Sequence, residues 1–507
     1  MSRHRPSWRA VGGAALAGIA LLLASCSSTG SPDEKTTLRV GVQDINPVTY
    51  DLIGQSFTLS NSAVYDGLFE NQMTEGGELI PQLATGYERS DDWKTVTLTL
   101  RDDVTFVDGV KFTADTLKAY LEGMYLVEGW WFKGFWDQNT PTLTVIDPTT
   151  LEITSDKPMN LMEFQFLKML FTGVPIASPH SLDDLAATKT EPLGSGAYLI
   201  EEVTEGVSVK LVRNEDHWNR DAYPFDEIEI TQFADDVAAL NALQAGQIDA
   251  TKLASNFAGQ AESEGFILHQ TPGMFVEFYI GDREGALVPA LADQRVRQAL
   301  AMAFDRVAIN ESMNDGFGII TSQPFVAGSS MYVDGGDDRY PYDPERAREL
   351  LAEAGYPDGF DIVIPTTPLV GINSWEPIIE TYLADIGIQV TFENYQEGAD
   401  WFAAAGGGTY PVVVYPIFSV HMAPFFLPAT AYLNAFKIAD VDANWTIMEN
   451  GPDDAAAEAA RELGEYVVDQ AIVFPISAPS WVWATAPGVQ LDTTNQNPAL
   501  LDFQRAG

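Results

Sequence analysis

The sequence predicts an α/β protein of more than one domain, and three observations carry that reading. The chain has 507 residues, 46% of them hydrophobic, which supplies core for two or three domains. Val207, Val209 and Leu211 alternate with Ser208 and Lys210, the period of two of a half-buried strand. Asp235 stands as an N-cap before Val237, Leu240 and Leu243, which share one apolar helix face, and Gly246 supplies the stop. Around that helix, Ile228 and Ile230 predict another strand and Ile248-Asp249-Ala250 a return to the sheet. In the turn before these strands, Gly194 and Gly196 are expected at positive φ.

The remaining elements follow in order. Thr37 to Val42 reads as a first strand, and Thr95 to Arg101 alternates as another. Thr113 is a candidate N-cap for a helix through Leu121. Trp130, Trp131, Phe132, Phe135 and Trp136 form an aromatic run that suits either a packed core or a platform for a ring-shaped ligand. Leu143 to Ser155 gives two strands around Asp147-Pro148. Phe275 to Ile280 reads as a strand, and Val296, Leu300 and Phe304 recur as one amphipathic helix over Asp293 to Arg306. Its arginines, Arg295, Arg297 and Arg306, read as scaffold groups that are solvated or paired with acids. Pro344 opens a helix that Gly355 ends, and Gly387 stops another over Pro377 to Ile386. Val412 to Tyr415 is wholly apolar, as a strand buried on both faces would be. Asp334 to Asp338 lacks the terminal Glu spacing of a calcium loop and reads as a turn.

Charge narrows the partners. Lys and Arg number 28 against 72 Asp and Glu, a net charge of -44, and no basic stripe for phosphate appears, so nucleic acid is excluded. The scattered acids fit a solvated, self-repelling surface, with cation binding as the other reading. The single cysteine, Cys26, rules out a disulfide within the chain. It follows a basic segment with Arg3, Arg5 and Arg9 and an apolar run from Val11 to Ala24, the pattern of a secretory signal too short to span a bilayer comfortably. Residues 27–35 read as a polar tether.

Several ordered motifs carry a family likeness. They are Gly194-Ser195-Gly196-Ala197-Tyr198, Arg213-Asn214 with Trp218, and Ala245-Gly246-Gln247-Ile248-Asp249. Upstream stand Tyr65, Gly67, Leu68, Gly77, Pro81, Leu83 and Ala84, then the Asp102–Gly109 hairpin. Downstream stand Asp293 to Arg306 and Tyr342 to Tyr356. In this order the chain resembles the family 5 (dipeptide- and oligopeptide-type) extracellular solute-binding lipoproteins of bacterial ABC importers. The resemblance implies a two-lobed periplasmic-binding-protein-like fold of type II, with an extra subdomain in the first lobe. The expected division is 1–25 signal peptide, 26–36 lipidated tether, 37–270 lobe 1 with the subdomain at about 61–188, 271–477 lobe 2, and 478–507 returning to lobe 1. Leu23-Ala24-Ser25-Cys26 resembles a lipobox, which implies lipid on Cys26 and an extracytoplasmic, membrane-anchored monomer. The partners implied are a small solute and an ABC permease with its ATPase subunits; no cofactor, metal or catalysis is implied.

Dipeptide binders of this family hold the ligand's amine with an Asp and its carboxylate with an Arg. No acid lies between Pro411 and Thr430, and Thr366, Thr367 and Pro368 occupy the arginine's place. A buried ammonium without a partner is costly, so the expectation moves from dipeptides to longer peptides read through their backbone. A neutral oligosaccharide stacked on aromatics is the alternative, and a secreted hydrolase is the alternative of another class. The candidate contacts are Trp375, Tyr415, Phe418, Phe425 and Trp481, each also readable as core, with His421 as a hydrogen-bonding group. No H-E-x-x-H, G-x-S-x-G or phosphate-binding loop supports an enzyme.

Overall fold

The computed structural model describes residues 36–43, 50–53, 59–71, 79–162, 165–204, 206–418, 439–493 and 502–506. Within them two large hydrophobic cores mark two α/β lobes. One gathers Leu38, Val40, Ile230, Trp483 and the aromatic cluster around Phe132. The other gathers Phe278, Phe304, Phe474 and Leu463.

The first lobe is built on a seven-stranded sheet. Its middle strand, Thr37–Val42, is parallel to Glu227–Gln232 on one side and to Ala250–Ala254 on the other. Val42, Gln232 and Ala254 therefore end at one edge. Ser480–Thr485 runs antiparallel to Ala250–Ala254, and Ile267–Pro272 antiparallel to Ser480–Thr485. Both of these segments reach the same edge, where the chain leaves for the second lobe and returns from it. Ser208–Arg213 and Tyr198–Thr204 complete the far side.

A second, four-stranded antiparallel sheet, from Ala84–Arg89 to Thr142–Asp147, packs on the same first core. Phe132 stacks on Phe135 and Phe166 at 5.4 Å, and Trp130, Phe132 and Trp136 are buried. That cluster is core, not platform. The second lobe centres on Met274–Ile280, flanked antiparallel by Val412–Phe418 and Val473–Ser477. Asp361–Thr366 and Gln389–Asn394 form a parallel pair beside it.

Local chemistry explains the element ends. Thr113 caps Ala114–Tyr125 and closes a reciprocal box with Thr116. Asp235 accepts from the Ala238 amide at the start of Asp236–Gln244, and Asp343 from the Arg346 amide at the start of Pro344–Glu353. Gly246, Gly355 and Gly387 sit at φ of 67°, 96° and 88° and end their helices as expected.

Four expectations fail, each for a physical reason. Gly194 and Gly196 are not at positive φ. They are needed for space, because a Cβ on Gly194 would lie 1.9 Å from the Val64 carbonyl oxygen and one on Gly196 2.4 Å from the Val64 carbonyl carbon. Val207 falls in the turn before its strand and Val237 on the outer helix face; both are exposed, and Ala239 and Ala242 join Leu240 and Leu243 inside instead. The helix foreseen over Asp293 to Arg306 breaks after Met302, and Asp305 caps a new one, Arg306–Met313. Finally, Arg297 and Arg306 are buried and bind carbonyl oxygens, those of Leu291, Ala292 and Gln470 and those of Pro475 and Tyr340, not acids. Arg295 alone follows the pattern, paired with Asp293.

Candidate functional site

The two lobes are joined where the crossing segments run side by side. The Gly273 amide donates to the Pro479 carbonyl at 3.0 Å, and a Cβ on Gly273 would lie 2.6 Å from that oxygen. Gly318 bridges to Pro479, and the Ile319 amide donates to the Ala478 carbonyl. Polar side chains finish the crossing. Asn314 donates to Ser477 and Asn310 at 3.1 Å, and Ser255, beyond the end of a first-lobe strand, reaches Asn314 at 3.4 Å. All four are buried, so the amide groups satisfy one another where the strand ladders stop.

The crossing lies at the carboxyl ends of the parallel strands, the edge at which open α/β sheets bind ligands. Trp481, a predicted contact, is at that edge. It is in register with Thr271 on one neighbour and Ala254 on the other, and the Lys252 ammonium lies 3.7 Å above its ring. Trp483, one step deeper on the same face, pairs across with Lys252 and His269. Thr271 Oγ1 and Trp483 Nε1 are buried without a hydrogen-bond partner among the described residues. Burial lowers the pKa of His269, whose Nε2 contacts the Thr485 hydroxyl.

The other predicted residues divide. Tyr415 is half-buried and stacked on Trp401 at 5.4 Å, and burial raises its pKa. Trp375 ends a short 3-10 turn and packs against the second core. Phe418 enters only through its backbone, in register with Met274. Cys26, His421 and Phe425 lie outside the described residues. At the place where the resemblance implies an arginine, Thr366 and Thr367 are buried. Thr366 donates to Glu376 and accepts from Asn394, and the Thr367 hydroxyl accepts from the Leu369 amide.

Sequence reasoning passed over Glu277. It sits on the central strand of the second lobe, fully buried, in register with Tyr415 and Pro475. Neither carboxylate oxygen has a hydrogen-bond partner among the described residues. Burial pushes its pKa up to about 8, against the opposing pull of Arg306. Burial likewise lowers Arg306 to about 10, against the pull of Glu277. One acid in an apolar run leaves no periodic signal; only the fold reveals its isolation.

A second bridge joins the lobes away from the crossing. Arg89, ending a subdomain strand, holds Asp453 with two bonds of 3.0 and 2.7 Å, at the start of the second-lobe helix Asp453–Asp469. The Leu161 amide also donates to Asp453, and buried Asn160 donates to the Met448 and Gly451 carbonyls. Arg89 rests on Trp93 at 3.8 Å.

Two groupings have the residue types of a catalytic triad but not its order. Ser195 and His217 both contact Asp66, at 2.8 and 3.2 Å, so the acid stands between hydroxyl and imidazole, which is not the order of a Ser-His-Asp triad. Ser178 and His180 share Asp108 in the same way. In the Asp334–Asp338 loop, Asp337 is taken by Thr321, Gln323 and Tyr332, as a turn requires. An open groove of about 530 Å³ near Arg339 and Asp469 is lined by second-lobe residues alone, so it is not an interlobe site.

A family model described as bacterial extracellular solute-binding proteins, family 5 Middle, matches residues 78–437. Heme-binding protein A of Haemophilus influenzae is 28% identical over 439 residues, which is 78% of either chain. Glutathione-binding protein GsiB of Salmonella typhimurium is 28% identical over 331 residues, 63% of this chain and 62% of its own. Among solved structures, HbpA2 from Haemophilus parasuis superposes with a TM-score of 0.76 at 20% identity, over 93% of this chain and all of its own. DppA from Helicobacter pylori in complex with the peptide STSA gives 0.69 at 20%, over 93% and 98%.

Proposed function

The chain belongs to the bacterial extracellular solute-binding proteins of family 5, the receptors of ABC importers, and from that premise we propose that it captures a peptide-like solute between its lobes. The observation that carries the reading is the paired crossing at the carboxyl edge of the first-lobe sheet. Two lobes with largely separate cores, joined at hydrogen-bonded strands of a few residues and bridged again at Arg89–Asp453, are built to hinge, and a ligand held by both favours the closed form. A docking permease reads that difference. The lobe boundaries we adopt are 37–270 and 478–507 for the first and 271–477 for the second. Lipid on Cys26 anchors the receptor outside the cytoplasm, and it delivers its solute as a monomer to the permease.

Longer peptides are favoured over sugars. Stacking a neutral sugar needs a bare ring face, and one face of Trp481 is taken by Lys252 and one face of Tyr415 by Trp401. Thr366 and Thr367 stand where the resemblance implies an arginine and bring no fixed charge for a free carboxylate. The test is a thermal-shift screen of the intact chain in detergent against dipeptides, longer peptides and neutral oligosaccharides. A ligand at one hundred times its dissociation constant adds about 2.7 kcal/mol of stability. Stabilisation by longer peptides alone supports the reading, and stabilisation by sugars alone overturns it.

A further inference from the structure

We propose that Lys252, Trp481 and Thr271 form a seat for a carboxylate of the solute at the crossing edge of the first lobe. The inference rests on the receptor reading above and narrows its substrate class to solutes that carry an acid.

The sheet register brings the three together. Trp481 stands between Thr271 and Ala254, directly opposite both, and Lys252 lies two residues before Ala254 on the same strand. Side chains at opposite and two-removed positions share one face of a sheet, so Lys252, Trp481 and Thr271 point the same way, with Trp483 beside them. The indole under the ammonium, with the Asp236 carboxylate close enough to feel its charge, fixes a cation where a flexible lysine would otherwise wander. It also takes one face of Trp481, so on that side the pair offers charge in place of a ring face.

The second observation is independent of the lysine. Thr271 Oγ1, in a residue 1% exposed, has no hydrogen-bond partner among the described residues, and neither does the Trp483 indole N–H, in a residue 4% exposed. A buried polar atom left unpaired is costly and asks for an explanation. Two orphan groups able to donate, beside a held ammonium, call for an acceptor with more than one lone pair, and a carboxylate supplies that. The patch lies one residue from Ser480 and two from Gly273, where the lobes hinge. An acid seated there touches the first lobe at the pivot, while the rest of the solute extends towards the second.

The seat also answers a question the sequence raised. Threonines at positions 366 and 367 leave the second lobe without the expected cation. The first lobe provides one instead, from a residue no motif singles out.

The test titrates matched acids and neutral analogues into the intact chain in detergent by calorimetry. The pairs are tetra-alanine against its C-terminal amide, and digalacturonic acid against digalactose. The expected result is that one acid binds roughly 10- to 100-fold tighter than its neutral partner, the range of a charge-assisted hydrogen bond. Lys252→Met should erase that preference, Lys252→Arg should keep part of it, and Thr271→Val should weaken the acid several-fold. Circular dichroism checks that each variant folds, and Thr271→Val serves if Lys252→Met does not. Equal binding of acid and neutral partner overturns the seat and leaves the receptor reading standing. A preference that survives Lys252→Met also overturns the seat. If no member of either pair binds, the seat and the peptide reading fall together.

Discussion

Removing Arg89 is expected to loosen lobe closure. Arg89→Ala deletes two N–H···O bonds to Asp453, of 3.0 and 2.7 Å, and the guanidinium's rest on Trp93. The side chains are 17% and 32% exposed, so water screens the pair only in part. Charge-assisted bonds contribute about 1.5–3 kcal/mol, and fully exposed pairs less than about 1 kcal/mol. A bidentate, half-shielded pair falls between, at about 1–2 kcal/mol. That is about 5- to 30-fold in an open–closed equilibrium, and a ligand that requires closure loses apparent affinity by the same factor. Packing on Trp93 confuses the single variant, so the assay is a double-mutant cycle with Asp453→Asn. Ligand affinity and radius of gyration are measured for all four proteins. A coupling near 1 kcal/mol is predicted, with a larger mean radius in the variants. Zero coupling with an unchanged radius would refute the argument.

Three further outcomes are expected. Glu277 has a pKa raised from 4.5 to about 8, so the fold prefers its protonated form. Its stabilising state is fully present below pH 4.5 and is lost as pH rises through 8. Glu277→Gln should therefore be more stable than the parent at pH 8.5, by a few kcal/mol, and equal to it near pH 4.5; chemical denaturation at both values checks this, and a pH-independent difference would contradict it. Gly194→Ala forces a Cβ to within 1.9 Å of the Val64 carbonyl oxygen, and thermal unfolding should show a loss on the order of 2–4 kcal/mol. Ser195→Ala removes a buried bond to Asp66 and should cost about 1 kcal/mol without creating or abolishing hydrolysis of any peptide. A peptidase activity sensitive to that change would restore a catalytic reading.

Much of the fold was legible because its signals are local. Caps such as Thr113, Asp235 and Asp343 need only residues a few positions away, and so do helix-ending glycines such as Gly355. What escaped is set by partners far along the chain. Gly194 is a glycine because the Val64 backbone passes close by, which a turn rule misreads as a demand on φ. Val237 satisfies a helical period but faces water, since two alanines allow the closer approach on the other side.

The site was less legible than the scaffold. The aromatics at positions 375, 415 and 481 were found by type, yet type does not say which ring face is free. Tyr415 and Trp481 each prove covered on one face, the second by a lysine 229 positions earlier in the chain. Thr271 and Glu277 carry no sequence signal, because an unpaired polar atom becomes visible only when its surroundings are known.

The most direct test of the account is small-angle scattering of the intact chain in detergent, with and without a saturating longer peptide identified by thermal shift. Mass spectrometry of the recovered ligand accompanies it. Lobe closure around an uncleaved solute predicts a smaller radius of gyration on binding and a peptide recovered intact. An unchanged radius at saturation, or a cleaved peptide, would contradict capture between the lobes.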